Sequence, residues 1–173
     1  VYQSVATLFG ESVRHCACLS HVRRKLVEIV RANQDAAGFS TIVATAAALV
    51  ARIGELYDIE RELKENQAGH ATREEVRAAR SLPLFDKLMS AMNAAAMDEN
   101  LLPGSALAKA CRYPLNRWAA MIRYCDDGLL EVSNTLVENA LRGVALGRRN
   151  WMFIGSVKGG DASALFYSLV ETC

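Results

Sequence analysis

Residues 126–142 have the sequence DDGLLEVSNTLVENALR, which joins a turn, a short apolar run and the start of a helix. The Asp-Asp-Gly segment is a turn signal, because aspartate side chains hydrogen-bond to nearby backbone and glycine adopts turn conformations freely. The apolar run predicts a short extended piece over residues 129–132, and a helix is expected over about residues 134–145. Glu138 and Arg142 are four residues apart, so they share one face of that helix.

On spacing alone, Glu138 fits two ordinary roles and one catalytic role. Thr135 and Glu138 are three residues apart, which is the spacing of a capping box, and Glu138 with Arg142 fits a surface ion pair. A carboxylate in the first turns of a helix, beside a cation, is also a candidate ligand for a divalent metal. The spacing favours the two ordinary roles.

The composition is typical of a globular domain. The chain has 173 residues, 51% hydrophobic and 23% charged, with a formal net charge of +1. Any contact with nucleic acid would therefore have to use local clusters of cations, since the chain has no overall positive field. No apolar run approaches the roughly 18 residues of a membrane span.

The cysteines and the two ends of the chain predict its location and its origin. Five cysteines, an odd number without regular spacing, indicate reduced thiols and a cytoplasmic protein. The chain begins Val1-Tyr2-Gln3, without a secretory leader, and stops within a helical pattern. We therefore expect a fragment of a longer protein.

Helical periodicity dominates the rest of the chain. Before residue 126, helices are predicted over about residues 20–32, where Ser20 is the cap, and over about residues 41–66. A third helix is predicted to begin at a capping box at residues 72–75, and further helices are predicted over residues 82–97 and 105–124. Pro83 should kink the third of these helices or begin a new one, and Pro114 should bend or break the last. After residue 145 we expect a last helix over residues 162–171. Strands are predicted over residues 13–19 and 151–154. In the helix over residues 41–66, Ile42 is expected to face inward and Glu60 outward.

Two clusters of cations are candidate contacts for phosphate. Arg148 and Arg149 precede Trp151, an arrangement that suits phosphate contact beside an aromatic platform, although solvated arginines are the ordinary alternative. Residues 18–25 have the sequence CLSHVRRK, which is half of a metal motif followed by a basic helix start. Its ordinary interpretation is a buried cysteine, a histidine at the helix entry and a solvated basic turn.

Taken together, these segments resemble the transposases of the insertion-sequence family numbered sixty-six. The most specific part of the resemblance covers residues 126–156, including Arg142, VALGR at 144–148 and Asn150-Trp151. Further matches are Cys18-x-x-His21 with Arg23-Arg24-Lys25, IGELYDIE at 53–60, LAKA at 107–110, Arg112-Tyr113, NRW at 116–118 and YSL at 167–169. Three positions depart from the family pattern, Ser133 for Asp, Asn139 for Arg and Gly143 for Pro.

The resemblance implies a ribonuclease H-like catalytic core of the DDE type. In such a core two aspartates and a glutamate hold two divalent metals, Mg2+ or Mn2+, for DNA strand cleavage and transfer. Glu138 matches the family's glutamate, so the resemblance favours Glu138 as a catalytic residue and metal ligand. The two aspartates are expected upstream of residue 1, which would leave this chain inactive by itself.

The implied fold is mostly α with a few short strands, an incomplete ribonuclease H-like core that carries a large helical insertion. Residues 1–32 would end the first part of the core, residues 33–125 would be the helical insertion, and residues 126–173 would return to the core with the glutamate helix.

The resemblance also implies partners and further site residues. DNA would be the partner, as transposon ends and target, and the full-length protein is expected to form a homo-oligomer without membrane attachment. Cys18 and His21 match a family pair and are expected to have a structural role near the site. The expected DNA-binding residues are Arg23, Arg24, Lys25, Arg142, Arg148, Arg149 and Trp151.

One other function is compatible with the same residues. The chain could be a non-catalytic helical module that binds DNA or forms a dimer interface in the longer protein. A small-molecule enzyme, the third possibility, has no supporting motif, since the chain has neither a phosphate-binding glycine loop nor a hydrolase triad signature.

Overall fold

The computed structural model describes residues 14–33, 41–102, 104–143, 146–147 and 156–172, which are mostly helical. The helices are α1 (Leu19–Ala32), α2 (Thr41–Glu65), α3 (His70–Val76), α4 (Leu82–Ala96), α5 (Ala106–Leu115), α6 (Trp118–Ile122), α7 (Thr135–Ala140) and α8 (Val157–Thr172). A π-helical turn, Arg77–Ser81, joins α3 to α4, and a 3-10 turn, Arg123–Asp126, follows α6. No strand occurs in these ranges, and none of their helices is long and apolar enough to cross a membrane.

The chain divides into two compact units, Val1–Ser133 and Asn134–Cys173. In the first unit, α1, α2, α4 and α5 pack their apolar faces together. The buried residues of α1 (Leu19, Val22, Leu26 and Ile29) recur every three or four positions, as an amphipathic helix requires. Phe85 of α4 lies in this core, with its ring 5.7 Å from that of Trp118 and 5.9 Å from that of Tyr124, both edge-on.

Several of the predicted helix boundaries are confirmed. The helix predicted over residues 41–66 is α2, and Ser105 caps α5 by accepting a hydrogen bond from the backbone N–H of Ala108 at 3.2 Å. The chain leaves α5 one residue after Pro114 and continues in α6, so the predicted break is present. Pro83 lies in the first turn of α4, which begins at Leu82 as one of the two alternatives predicted, but the backbone stays helical through the π-helical turn Arg77–Ser81 before it, so the chain does not break there.

The strand predicted over residues 13–19 is wrong for its described residues. Residues 14–18 are irregular and α1 begins at Leu19, with Cys18 rather than Ser20 at the N-cap. The N–H of Ala17 donates to the carbonyl of Ala120 at 2.9 Å, and that of Leu19 donates to the carbonyl of Val132 at 3.2 Å. These hydrogen bonds to two separate segments hold the backbone of Ala17 and Leu19 in place, but they do not form the regular ladder of a β-sheet.

The extended piece predicted over residues 129–132 is also a turn. Asp127 Oδ1 accepts a hydrogen bond from the N–H of Leu129 at 2.8 Å, and the carbonyl of Asp127 accepts one from Leu130 at 3.1 Å. The turn chemistry of the aspartate therefore outweighs the apolar run that follows it. The strand predicted over residues 151–154 lies outside the described residues.

Three predictions about the helix starts and faces are corrected. The helix predicted to start at the Thr72 capping box is α3, which begins at His70, and its N-cap is Gly69, which has no side chain to cap with. Ile42 was expected inside and is 38% exposed, whereas Glu60 was expected outside and is only 8% exposed. Glu60 can be buried because its carboxylate pairs with the guanidinium of Arg77.

The second unit contains α7 and α8. The helix predicted over residues 134–145 is interrupted: α7 ends at Ala140, residue 141 is a turn, and residues 142–143 and 146–147 are again helical. The last helix begins at Val157, five residues before the predicted start. Both helices expose apolar side chains, among them Leu136, Val157 and Phe166.

Candidate functional site

Glu138 lies in the first turn of α7 with an exposed side chain. Its Oε1 accepts a hydrogen bond from Nδ2 of Asn134 at 3.0 Å, and its N–H donates to the carbonyl of Asn134 at 2.9 Å. Asn134, not Thr135, precedes the helix, so the capping box considered for Thr135 and Glu138 does not form. The carboxylate of Glu138 is therefore exposed to solvent and accepts a hydrogen bond from a neutral amide.

The other predicted residues of the second unit are only partly covered. Arg142 lies shortly after α7 with an exposed side chain. Arg148, Arg149 and Trp151 lie outside the described residues. Where the family pattern has proline, Gly143 lies beside Tyr167 of α8, and a Cβ at residue 143 would be 3.3 Å from Cε1 of that ring. A larger residue there would require the ring to shift.

The motif over residues 18–25 forms the start of α1 in the first unit. Cys18 is partly buried, with its Sγ 2.9 Å from Oγ of Ser20, and His21 is partly buried in the first turn. Arg23, Arg24 and Lys25 are exposed. The bond from Leu19 to Val132 brings this helix start beside the first part of the motif that begins at Asp126.

A buried arginine holds the Asp126–Asp127–Gly128 turn. Arg77 is fully buried and forms two hydrogen bonds with Glu60, from Nε to Oε1 at 2.9 Å and from Nη2 to Oε2 at 2.7 Å. Its Nη1 donates to the carbonyls of Tyr124 at 2.9 Å and Asp127 at 3.0 Å. Desolvation opposes the charge of Arg77, but the hydrogen bonds and the attraction of Glu60 outweigh it and raise the pKa of Arg77.

A second layer of side chains bonds the backbone of Gly128. Its N–H donates to Oε1 of Glu74 at 3.0 Å, and its carbonyl accepts from Nη1 of Arg73 at 3.2 Å. Nδ1 of His70 lies 3.2 Å from the same carbonyl. We refer to Glu60, Arg73, Glu74 and Arg77 as the arginine clamp. It fixes the turn that precedes the predicted glutamate helix.

Glycine is required at residue 128 because another backbone approaches it closely. A Cβ there would collide with the backbone of His70. The turn signal at residues 126–128 was therefore correct, but its cause includes a tertiary contact that the sequence pattern does not show.

The arginine clamp was not predicted from the sequence, although a signal exists. Leu56, Glu60 and Leu63 are spaced as one apolar face of α2, so the carboxylate occupies a core position. Arg77 likewise precedes Ser81 and Phe85 at intervals of four, and all three are buried. Charged residues at two core positions predict a buried ion pair, since isolated buried charges are strongly unfavourable.

The described residues contain no group of three or more His, Cys, Asp or Glu side chains that could hold a metal ion. Mg2+ prefers about six oxygen ligands, of which a single carboxylate supplies at most two. Glu138 has suitable chemistry for one ligand of such an ion, and further oxygen ligands would have to come from other residues.

A family model described as Transposase IS66 family matches residues 1–162 of the chain. The chain belongs to this family. The resemblance inferred from the motifs of residues 126–156 and 18–25 is thereby confirmed.

Relatives of this IS66-family chain occur in Sinorhizobium fredii. Uncharacterized protein y4jD is 34% identical over 175 residues, which cover 99% of this chain and 32% of the relative. Uncharacterized protein y4hP is 33% identical over 175 residues, which cover 98% of this chain and 31% of that relative. The chain thus spans about a third of the length of these relatives. No solved structure matches it significantly.

Proposed function

We propose that this chain is part of a DDE-type transposase that cleaves and joins DNA strands, and that Glu138 is one of its metal ligands. The match of the IS66 model to residues 1–162, a range that includes Glu138, is the observation that carries the proposal. The proposed site belongs to a ribonuclease H-like core that the rest of the longer protein would complete.

The surroundings of Glu138 support a role as a ligand. Its carboxylate is exposed, and the amide of Asn134 donates a hydrogen bond to it. Carboxylate oxygens are the protein ligands that Mg2+ and Mn2+ prefer. A bound pair of such ions would supply Lewis-acid stabilisation of the phosphate and a more acidic water or 3′-hydroxyl nucleophile.

Other residues of the chain would contact the DNA or support the first part of the motif that contains Glu138. Arg142 follows α7 as an exposed cation and is available for phosphate. The arginine clamp fixes the backbone of Asp127 and Gly128, the turn from which the chain proceeds toward α7. Cys18 and His21 would support the start of α1 without taking part in chemistry.

The proposal is tested with a chimaera in which this chain replaces the matching third of y4jD. We expect the chimaera to nick a duplex that carries the ends of the corresponding element, in the presence of Mg2+ or Mn2+ and not after chelation. The isolated chain should leave the same DNA intact, since one carboxylate does not complete the site.

The alternative expected from the sequence, a non-catalytic DNA-binding or dimerisation module, predicts another result. A folded chimaera that binds the duplex but does not cleave it, while y4jD itself does, would contradict the proposed function.

A further inference from the structure

Tyr113, on the surface of the first unit, has two cations against its ring. Nζ of Lys25, from α1, lies 4.4 Å from the ring centroid, and Cζ of Arg117, just after α5, lies 4.8 Å from it. Lys109 lies one helical turn before Tyr113 on α5, so the two share a face. We refer to Lys25, Lys109, Tyr113 and Arg117 as the Tyr113 patch.

The patch is a single surface built from two packed helices. Lys25 and Lys109 line the same cleft, of about 590 Å³, between α1 and α5. The side chains of Lys25, Lys109 and Arg117 are all exposed, and the ring of Tyr113 is partly buried. Glu28 also lines the cleft and is the acidic side chain on that wall.

The three cations of the patch form no ion pair with a carboxylate in the described part of the chain. Some cations elsewhere do pair with carboxylates: Arg73 and Arg77 pair with Glu60, and Arg80 pairs with Glu62. In the patch, an aromatic ring takes the place of a carboxylate, which orients the cations and leaves their full positive charge available.

We propose that the Tyr113 patch binds the phosphate backbone of double-stranded DNA. The inference rests on the proposed function for its choice of partner, and on the patch itself for the place of contact. Clustered cations without carboxylate partners gain affinity from a polyanion, because each phosphate they neutralise releases condensed counterions. Cation–π contacts with Tyr113 fix Lys25 and Arg117 in advance, so little side-chain freedom is lost on binding.

The Tyr113 patch includes residues that the sequence motifs did not indicate as DNA contacts. Lys25 was expected to contact DNA together with Arg23 and Arg24, which precede it on α1. The structure instead groups Lys25 with Lys109 and Arg117, residues that are more than 80 positions away in the sequence.

The test is salt-dependent binding of the purified chain to a fluorescent duplex of arbitrary sequence, measured by anisotropy. Three phosphate contacts predict that affinity falls roughly fortyfold between about 50 and about 200 mM salt. The triple variant Lys25→Gln, Lys109→Gln, Arg117→Gln should make the negative slope of log K against log salt shallower by about 2.7. Circular dichroism spectra verify that the variant is folded.

A matched control neutralises three exposed cations outside the patch: Arg52→Gln, Lys64→Gln and Lys87→Gln. These residues lie on α2 and α4 and, in the described ranges, also have no carboxylate partner. The control changes the net charge by the same amount as the patch variant. Because its three residues lie outside the patch, its salt slope should stay near that of the unchanged chain. Equal losses of affinity in both triple variants would overturn the proposal, because the effect would then reflect net charge alone.

A single substitution tests the role of the ring. Tyr113→Leu keeps all three charges and should weaken binding about twofold to fivefold through the loss of the cation–π contacts. Unchanged binding in the patch variants, together with loss of binding in Arg148→Ala, Arg149→Ala, would place the DNA contact elsewhere and refute the patch.

Failure of this inference is distinguishable from failure of the proposed function. A chimaera that cleaves DNA equally well with the patch neutralised would refute the patch and leave the function intact. Patch-dependent binding by the chain, with no cleavage by the chimaera, would refute the function and leave the patch intact.

Discussion

The central ion pair of the arginine clamp makes the sharpest prediction about stability. Arg77→Met keeps most of the volume of the side chain but removes both hydrogen bonds to Glu60 and both to the carbonyls of Tyr124 and Asp127. Glu60 would then be a buried carboxylate whose main partner is lost. Breaking a buried ion pair from one side costs about 3–5 kcal/mol, a large fraction of the roughly 5–15 kcal/mol that stabilises a typical domain.

The assay is urea unfolding followed by circular dichroism. With a slope of about 2 kcal/mol per molar urea, the unfolding midpoint of Arg77→Met should fall by about 2 M. Replacing both partners, as in Glu60→Leu with Arg77→Met, removes the buried carboxylate that would otherwise be unpaired. The double variant should therefore regain part of the stability that Arg77→Met loses.

Arg80→Met supplies the matched control. Arg80 and Glu62 also join the segment after α3 to α2, with Nη2 2.8 Å from Oε2, but both side chains are about half exposed (48% and 52%). Exposed pairs contribute little, so this midpoint should scarcely move. An Arg77→Met chain as stable as Arg80→Met would refute the reasoning that the buried pair holds the turn.

Two further predictions concern Gly128 and the buried thiols. Gly128→Ala forces a Cβ against the backbone of His70 and should destabilise the chain by about 1–3 kcal/mol. Gly54→Ala, in open space within α2, should instead stabilise the chain by about 0.5–1 kcal/mol. Thermal unfolding of both variants measures these changes, and a Gly128→Ala chain as stable as the unchanged chain would contradict the prediction. Burial raises the pKa of Cys111 and Cys125 from an ordinary 9.0 to about 11, so at pH 8 only about one thiol in a thousand is ionised and alkylation should be slow until urea is added. Because the thiols ionise at a lower pH in the unfolded chain than in the folded chain, the free energy of unfolding should decline as the pH rises from about 9 to about 11. Rapid alkylation of both thiols in the folded chain, located by mass spectrometry, would contradict the prediction because it would show that they are accessible.

The sequence predicted the helical part of the fold well. The spacing of apolar residues gave α2, and Ser105 and the prolines gave the boundaries of α4 and α5, because these signals act through local backbone chemistry. The strand predicted over residues 13–19 had no comparable basis. Its apolar side chains indicated a strand, but the backbone bonds of Ala17 and Leu19 to Ala120 and Val132 are single tertiary contacts that no local pattern encodes.

The candidate site was predictable only in part, for a similar reason. The turn at residues 126–128 was predicted from its local Asp-Asp-Gly pattern, whereas the role of Glu138 follows from the resemblance and stays a prediction. The arginine clamp assembles residues from 60 to 77 around a turn at 124–128, and this long-range arrangement follows from packing. One of its local signs, the carboxylate of Glu60 on the apolar face of α2, was interpreted as solvent-exposed.

The role of Glu138 is tested most directly by the rate of DNA strand cleavage in the y4jD chimaera. Glu138→Gln preserves shape and removes the charge, and Glu99→Gln, at an exposed residue after α4, is the control. Even residues that only support metal ligands are worth about 10- to 100-fold, so Glu138→Gln should slow cleavage by more than about a hundredfold while Glu99→Gln has no effect. Cleavage by Glu138→Gln at the unchanged rate would contradict the assignment of Glu138 as a metal ligand.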